Sequence, residues 1–141
     1  MKTWKQWISV AFLGIVFIFI ACDLDTKDDP PDPRSDFFAT WKNEELLMTL
    51  TINASNIKGD RRPGQEFFWT SIPNIWTPIT NDDLETKDSY PSGYKCTGTF
   101  TEHSNVEIIG NENEFNIFIS IDKKSIFFIS SSGIGMIFDK Q

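Results

Sequence analysis

The sequence predicts an all-β fold, a barrel or a sandwich of about 8 to 10 short antiparallel strands, and three observations carry that expectation. Apolar and polar side chains alternate with a period of two over several segments, which is the signature of a strand with one face buried. Gly, Asn, Asp and Pro punctuate the chain at intervals of about 8–12 residues, the spacing of strands in sandwiches and barrels. Sustained helical spacing is missing from the segment between 37 and 141.

Taken in chain order, the first segment stands apart from this pattern. Lys2 and Lys5 precede residues 8–21, ISVAFLGIVFIFIA, which carry no charge. A bilayer-spanning helix needs about 20 apolar residues, whereas an export signal needs about 7–15. The short form points to a signal peptide over residues 1–21. It ends in Phe19-Ile20-Ala21-Cys22, a small residue directly before a cysteine, and polarity changes at once in Asp23-Leu24-Asp25. Those residues resemble a bacterial lipobox, and the resemblance implies cleavage before Cys22 and acylation of its thiol. Two or three acyl chains hold a protein on a membrane that it does not span.

Residues 22–36 follow as a tether. From 23 the chain reads DLDTKDDPPDPRSD, with three prolines, six acids and Leu24 as its one apolar side chain. Such a segment cannot bury enough surface to offset its ordering entropy. Extended at about 3.1 Å per residue, it would set the following domain some 40 Å from the lipid.

The domain itself is expected over 37–141. Residues 37–41 form the first candidate strand. In 46–52, Leu46, Met48, Leu50 and Ile52 share one face with Thr49 and Thr51 opposite. Shorter candidates follow at 55–58, 66–72 and 75–79. Pro73 and Pro78 bracket the last of these and should confine it to an edge, because proline cannot donate to a ladder. Residues 81–93, NDDLETKDSYPSG, are the longest polar interruption and read as a mobile loop. Tyr94, Cys96 and Phe100 then alternate with Lys95, Thr97 and Thr99. Residues 105–109 are another short candidate. Residues 115–121 repeat the alternation, Asp122-Lys123-Lys124-Ser125 reads as a turn into 126–130, and 133–138 closes the series.

Composition removes several functions. The chain has 141 residues, 13 Lys+Arg against 20 Asp+Glu and a net charge of −7. The 13 basic residues less Lys2 and Lys5 leave 11 against 20 acids after cleavage, a net −9. An acidic surface argues against nucleic-acid binding, which requires basic groups to displace counterions from phosphates. Arg61-Arg62-Pro63-Gly64 is a basic turn too short to change that. One His and two Cys leave most metal sites unbuildable, and neither a metal nor a cofactor is expected.

Three segments resemble a known family. Phe38-Ala39-Thr40-Trp41-Lys42, followed by the alternating strand at 48–52, looks like the opening of lipocalin-like and related calycin barrels. Tyr90-Pro91-Ser92-Gly93-Tyr94-Lys95 and Ile121-Asp122-Lys123-Lys124-Ser125-Ile126 are similar to segments of small lipocalin-like bacterial lipoproteins. The resemblance covers about 37–141 and implies an up-and-down barrel with Trp41 plugging its closed end. Ala39 stands where the family has Gly.

Catalytic machinery is not evident. His103, within Thr101-Glu102-His103-Ser104-Asn105, reads as a solvated histidine in a turn, and Glu102 beside it would face the other way on a strand. With Cys22 acylated, Cys96 is the remaining thiol and reads as a small buried hydrophobe without an activating base. Asp82, Asp83, Glu85 and Asp88 share one loop, which could gather calcium through hard oxygens but more simply forms a solvated charged surface. Asn53-Ala54-Ser55 matches a glycosylation acceptor without further support.

Aromatic content stands above background, with Trp41, Trp69, Trp76, Tyr90, Tyr94 and ten Phe after residue 21. In Phe67-Phe68-Trp69 and Phe127-Phe128 consecutive rings must face opposite sides of a sheet, so either both faces are covered or rings are exposed. The expected protein is a non-catalytic lipoprotein held in the bacterial cell envelope, at the outer rather than the inner membrane, by acyl chains on Cys22. Its barrel would bind a small apolar ligand through Trp41, Phe68, Trp69, Trp76 and Tyr94, with Trp69 and Trp76 at the mouth. The alternative is a protein-binding module, a lysozyme or protease inhibitor or a host-facing adhesin, acting through Asp82, Asp83, Glu85 and Asp88.

Overall fold

Eight strands alternate their side chains between an apolar inside and a mixed outside, and the curvature this permits closes the sheet on itself. The computed structural model describes residues 29–61, 67–83 and 85–141. The strands are β1 (Ala39–Asn43), β2 (Met48–Ile52), β3 (Ile57–Arg61), β4 (Phe67–Thr80), β5 (Ser92–His103), β6 (Glu112–Ile119), β7 (Ser125–Ile129) and β8 (Gly135–Lys140). Each pairs antiparallel with the next, and β8 returns to β1, giving a closed up-and-down barrel. Of the two expected architectures the barrel is therefore the one adopted.

Every pair of consecutive strands is joined by a hairpin connection, so the loops fall at two ends. The β1–β2, β3–β4, β5–β6 and β7–β8 connections surround one end, and the chain termini of the barrel with the other three connections surround the opposite end. The closing seam is short: Trp41 faces Lys140 and Lys42 faces Asp139. Asn43 Nδ2 reinforces it by donating to the Ile137 carbonyl at 2.8 Å, and the Gln141 N–H donates to the Thr40 carbonyl at 3.0 Å.

The inward set is continuous around the barrel. Leu50, Ile57, Ile117, Ile126 and Phe138 are fully buried, and Met48, Ile52, Phe115 and Phe128 join them. Alternation places these residues inside because each lies two positions from the next inward neighbour on its strand.

A 3-10 turn, Ser35–Phe37, covers the terminal end. Trp41 is fully buried beneath it and donates its Nε1–H to the Phe37 carbonyl at 3.0 Å, while the Lys140 ammonium sits 5.6 Å from the ring centre. Phe37 meets Tyr94 edge-on at 5.4 Å, and Phe38 meets Trp76 at 6.4 Å. The Arg34 guanidinium lies over the rings of Phe38 and Trp76 and is held by Asp32 at 2.6 and 2.9 Å. These contacts bring Asp32 and its successors into the compact unit, which runs Asp32–Gln141. The domain thus starts earlier than the boundary at 37 expected from polarity alone, because Arg34 reaches apolar partners that composition does not show. Asp36 adds an ion pair with Lys123 at 2.8 Å.

Several sequence expectations change. The candidates at 66–72 and 75–79 are one strand, β4, whose pairing with β5 is irregular at Thr70/Ser71 and Pro73/Ile75. Irregularities of this kind let a strand bend without ending. Partnership with β3 covers only Phe67–Ser71, so Pro73 and Pro78 fall where β5 is the one neighbour; the expected edge exists locally within a closed barrel. The candidate at 105–109 is a 3-10 turn, Val106–Ile108, capped by the Asn105 side chain accepting the Glu107 N–H.

The outside of β6 and β7 carries a second apolar layer. Phe118, 4% exposed, stacks on Phe127 at 6.4 Å, and Tyr90 tilts over Phe127 at 5.9 Å. Tyr90 Oη and Ser125 Oγ share a hydrogen bond of 3.0 Å. The β4–β5 connection is thereby pinned to the barrel wall. For Phe127-Phe128 both faces are covered, which answers the question those adjacent rings pose.

Candidate functional site

At the end opposite the 3-10 turn at Ser35–Phe37, the barrel opens into a cavity of about 380 Å³. This lies within the range of small-molecule sites. Its floor is aromatic. Trp69 stacks on Phe115 with centroids 5.0 Å apart and on Phe128 at 6.1 Å, both at 27°. Phe100 meets Trp69 edge-on at 6.0 Å and Phe115 at 6.1 Å. Met48 and Met136 line the adjoining wall, unbranched side chains that adapt to irregular apolar shapes.

The position of Trp69 has a local cause. Gly59 on β3 lies directly opposite it, and a Cβ there would stand 2.3 Å from Trp69 Nε1. The indole occupies the space that any other residue would fill. Beside the rings, Ser71 Oγ donates to Asn113 Oδ1 at 2.9 Å, with both residues buried. Asn113 Nδ2 is buried with no partner.

The rim is polar. Arg61, His103 and Ser130, Ser131 and Ser132 border the opening with Leu46, Phe67 and Ile134. His103 is the last residue of β5, not part of a turn, and meets Phe67 and Phe100 edge-on at 5.8 and 5.2 Å. The reason is the longer run of β4–β5 pairing, in which Trp69 faces His103. Its Nδ1 accepts the Asn105 N–H at 2.9 Å, so the neutral ring carries its proton on Nε2. Glu102 faces the other way and accepts from Thr70 Oγ1 at 2.6 Å. Arg61, expected in a basic turn, ends β3 instead; residues 62–64 lie outside the described residues.

The residues expected at one mouth are divided between the two ends. Trp69 lies in the cavity floor. Trp76 and Tyr94, 5.9 Å apart, belong to the cluster under the Ser35–Phe37 turn with Phe37 and Phe38. Seven positions along β4 carry Trp76 away from Trp69, so the two candidate strands at 66–72 and 75–79 together run the length of the barrel wall. Trp41 is at the closed end, buried beneath the Ser35–Phe37 turn. Phe68 stands opposite Asp60 on the face away from Trp69. Cys22 and the leader at 1–21 lie outside the described residues.

The loop carboxylates behave as surface groups. Asp82, Asp83, Glu85 and Asp88 are exposed, and Asp83 Oδ1 accepts the Glu85 and Thr86 N–H groups at 2.8 and 3.3 Å. Among the described residues no group of three or more His, Cys, Asp or Glu is arranged to hold a metal ion, and no helix is long and apolar enough to cross a membrane. Cys96 is 1% exposed, and burial pushes its thiol up to about 12. A thiol held protonated in this way is a poor nucleophile.

A larger groove of about 910 Å³ runs outside the closed end past Pro33, Pro78, Ser120 and Lys123. It is a surface furrow whose lining includes Phe37 and Tyr94 but none of the stacked rings of the open end. Phe100, Phe115, Phe128, Met48 and Met136 are the site residues that sequence reasoning did not select. Each sits at an inward position of its own alternating strand, and that parity was the available signal. No protein-family model, curated protein or solved structure matches this chain.

Proposed function

We propose that this protein is a lipid-anchored, non-catalytic lipoprotein of the bacterial cell envelope whose barrel holds a small apolar ligand in its open end. The observation that carries the ligand reading is the cavity of about 380 Å³ floored by Trp69, Phe100, Phe115 and Phe128. Burying apolar ligand surface against such rings is worth about 25 cal/mol per Å² before the costs of association. The lipocalin-like resemblance is supported by the closed eight-strand barrel and by Trp41 under the Ser35–Phe37 turn. The anchor rests on the leader and on Ala21-Cys22.

Titrating the intact protein with 1-decanol while following tryptophan emission tests the ligand reading. A saturable change that disappears in Trp69→Leu but persists in Trp76→Phe supports it, and a flat titration contradicts it. For the anchor, mass spectrometry of the native protein is expected to find acylated Cys22 as the first residue. An intact leader with an unmodified thiol would remove that part of the proposal.

A further inference from the structure

The charged groups at the open end indicate more than an apolar ligand. The chain is acidic, with 20 Asp+Glu against 13 Lys+Arg, yet among the described residues no carboxylate lines the cavity. Arg61 and His103 line it instead. Arg61 sits on β3 with Met48 and Phe67 as its cross-strand neighbours, which puts it on the inward face at the rim. Among the described residues it has no ion-pair or hydrogen-bond partner, whereas Arg34, Lys42, Lys95 and Lys123 are each paired. Of the described acids on neighbouring elements, Glu102 is bonded to Thr70, and Glu44 and Glu45 border a separate groove beyond Leu46. Beside the stacked rings, Arg61 is a fork of donors without an acceptor among the described residues. His103 adds its Nε2–H, and the serines at 130–132 add hydroxyls.

From this lining we infer that the ligand is an amphipathic acid: an apolar chain or ring lies on the Trp69 floor, and its carboxylate is held at the rim by Arg61, with His103 assisting. The inference rests on the ligand-holding reading above and assigns the chemical class and polarity of what that site takes. A carboxylate accepts two parallel N–H bonds from a guanidinium. An alcohol of equal length gains only a neutral hydrogen bond there, and an alkylammonium is repelled.

The test compares decanoate, 1-decanol and decylammonium on the intact protein, reading tryptophan emission. Decanoate is expected to bind at least about tenfold more tightly than decanol, the effect of one charge-assisted contact, and decylammonium more weakly than either. Arg61→Met is expected to cost decanoate at least about tenfold and decanol much less, so that the two affinities converge, and the decanol binding that remains shows that the barrel is folded. His103→Gln should remove a smaller share. If Arg61→Met loses decanol as well, the wild-type protein decides by salt: the decanoate advantage must shrink as ionic strength rises, because screening weakens an exposed ion contact. Equal affinities for decanoate and decanol, a preference that survives Arg61→Met, or a salt-independent preference would overturn the inference and leave the apolar site standing. Binding of none of the three would overturn both.

Discussion

Trp69 and Cys96 show how single side chains here are fixed by what their neighbours lack. Gly59 gives Trp69 the room to lie flat across β3, so Gly59→Ala is expected to displace the indole from the cavity floor. Forced repacking of this type costs about 1–3 kcal/mol. Denaturant unfolding should show that loss together with weakened decanol binding, a pairing that a purely structural defect elsewhere would not produce. Cys96 makes a prediction in pH. Its thiol ionises from an ordinary value of 9.0 in the unfolded chain and only near 12 in the folded one. The folded pKa is the raised one, so the full benefit of this residue is present below 9 and is lost as pH climbs toward 12, by at most about 1.4 kcal/mol per pH unit. The stability advantage of the wild type over Cys96→Ala should therefore narrow above pH 9, and Cys96 in the folded protein should resist thiol reagents at pH 8.

Hairpins and long strands determined how much was legible. Where alternation was clean, as in Met48, Leu50 and Ile52 or in Phe115 and Ile117, the strand and its buried face could be read directly from the sequence, whereas Leu46 falls in the turn before β2 and Ile121 lies exposed beyond the end of β6. The turn at 122–125 was equally plain, because Asp122 and Ser120 cap it: Ser120 Oγ donates to Asp122 Oδ1 at 2.7 Å, and the Lys124 N–H donates to the same oxygen at 3.1 Å. That hydroxyl contact first, and the Lys124 N–H second, hold the Asp122 carboxyl below the usual carboxylate range. Its contribution is present above the ordinary carboxylate value and fades as pH falls through the lowered one, so Asp122→Asn should flatten the acid side of the stability profile. Lys123 in this turn has φ of 59°, a left-handed conformation costing about 1–2 kcal/mol for a residue with a Cβ. Lys123→Gly is expected to raise the unfolding midpoint slightly, offset in part by the surface pair with Asp36, which contributes little. The β4 strand was harder to read. Two prolines and two irregularities disguise a continuous 14-residue strand, and a reader who breaks it assigns Trp69 and Trp76 to the same place. His103 was misplaced for the matching reason at the far end of β5. Both errors come from pairing across strands, which no local window of sequence contains.

At the scale of the molecule, the barrel is asymmetric from end to end. One end is sealed by a 3-10 turn, Trp41 and a ring cluster beneath Arg34, and the other is left open over stacked rings with Arg61 and His103 at its rim. That polarity leaves a cavity in a fold that could otherwise be filled throughout with side chains. The methionines report on it directly. The sequence contains three, Met1, Met48 and Met136, and the last two line the open cavity, while among the described residues the sealed end has none. Labelling the methionine methyl groups with 13C and titrating the intact protein with 1-decanol should move the Met48 and Met136 resonances together, saturably, with one dissociation constant. Resonances of Met48 and Met136 that stay fixed at saturating decanol would contradict the account.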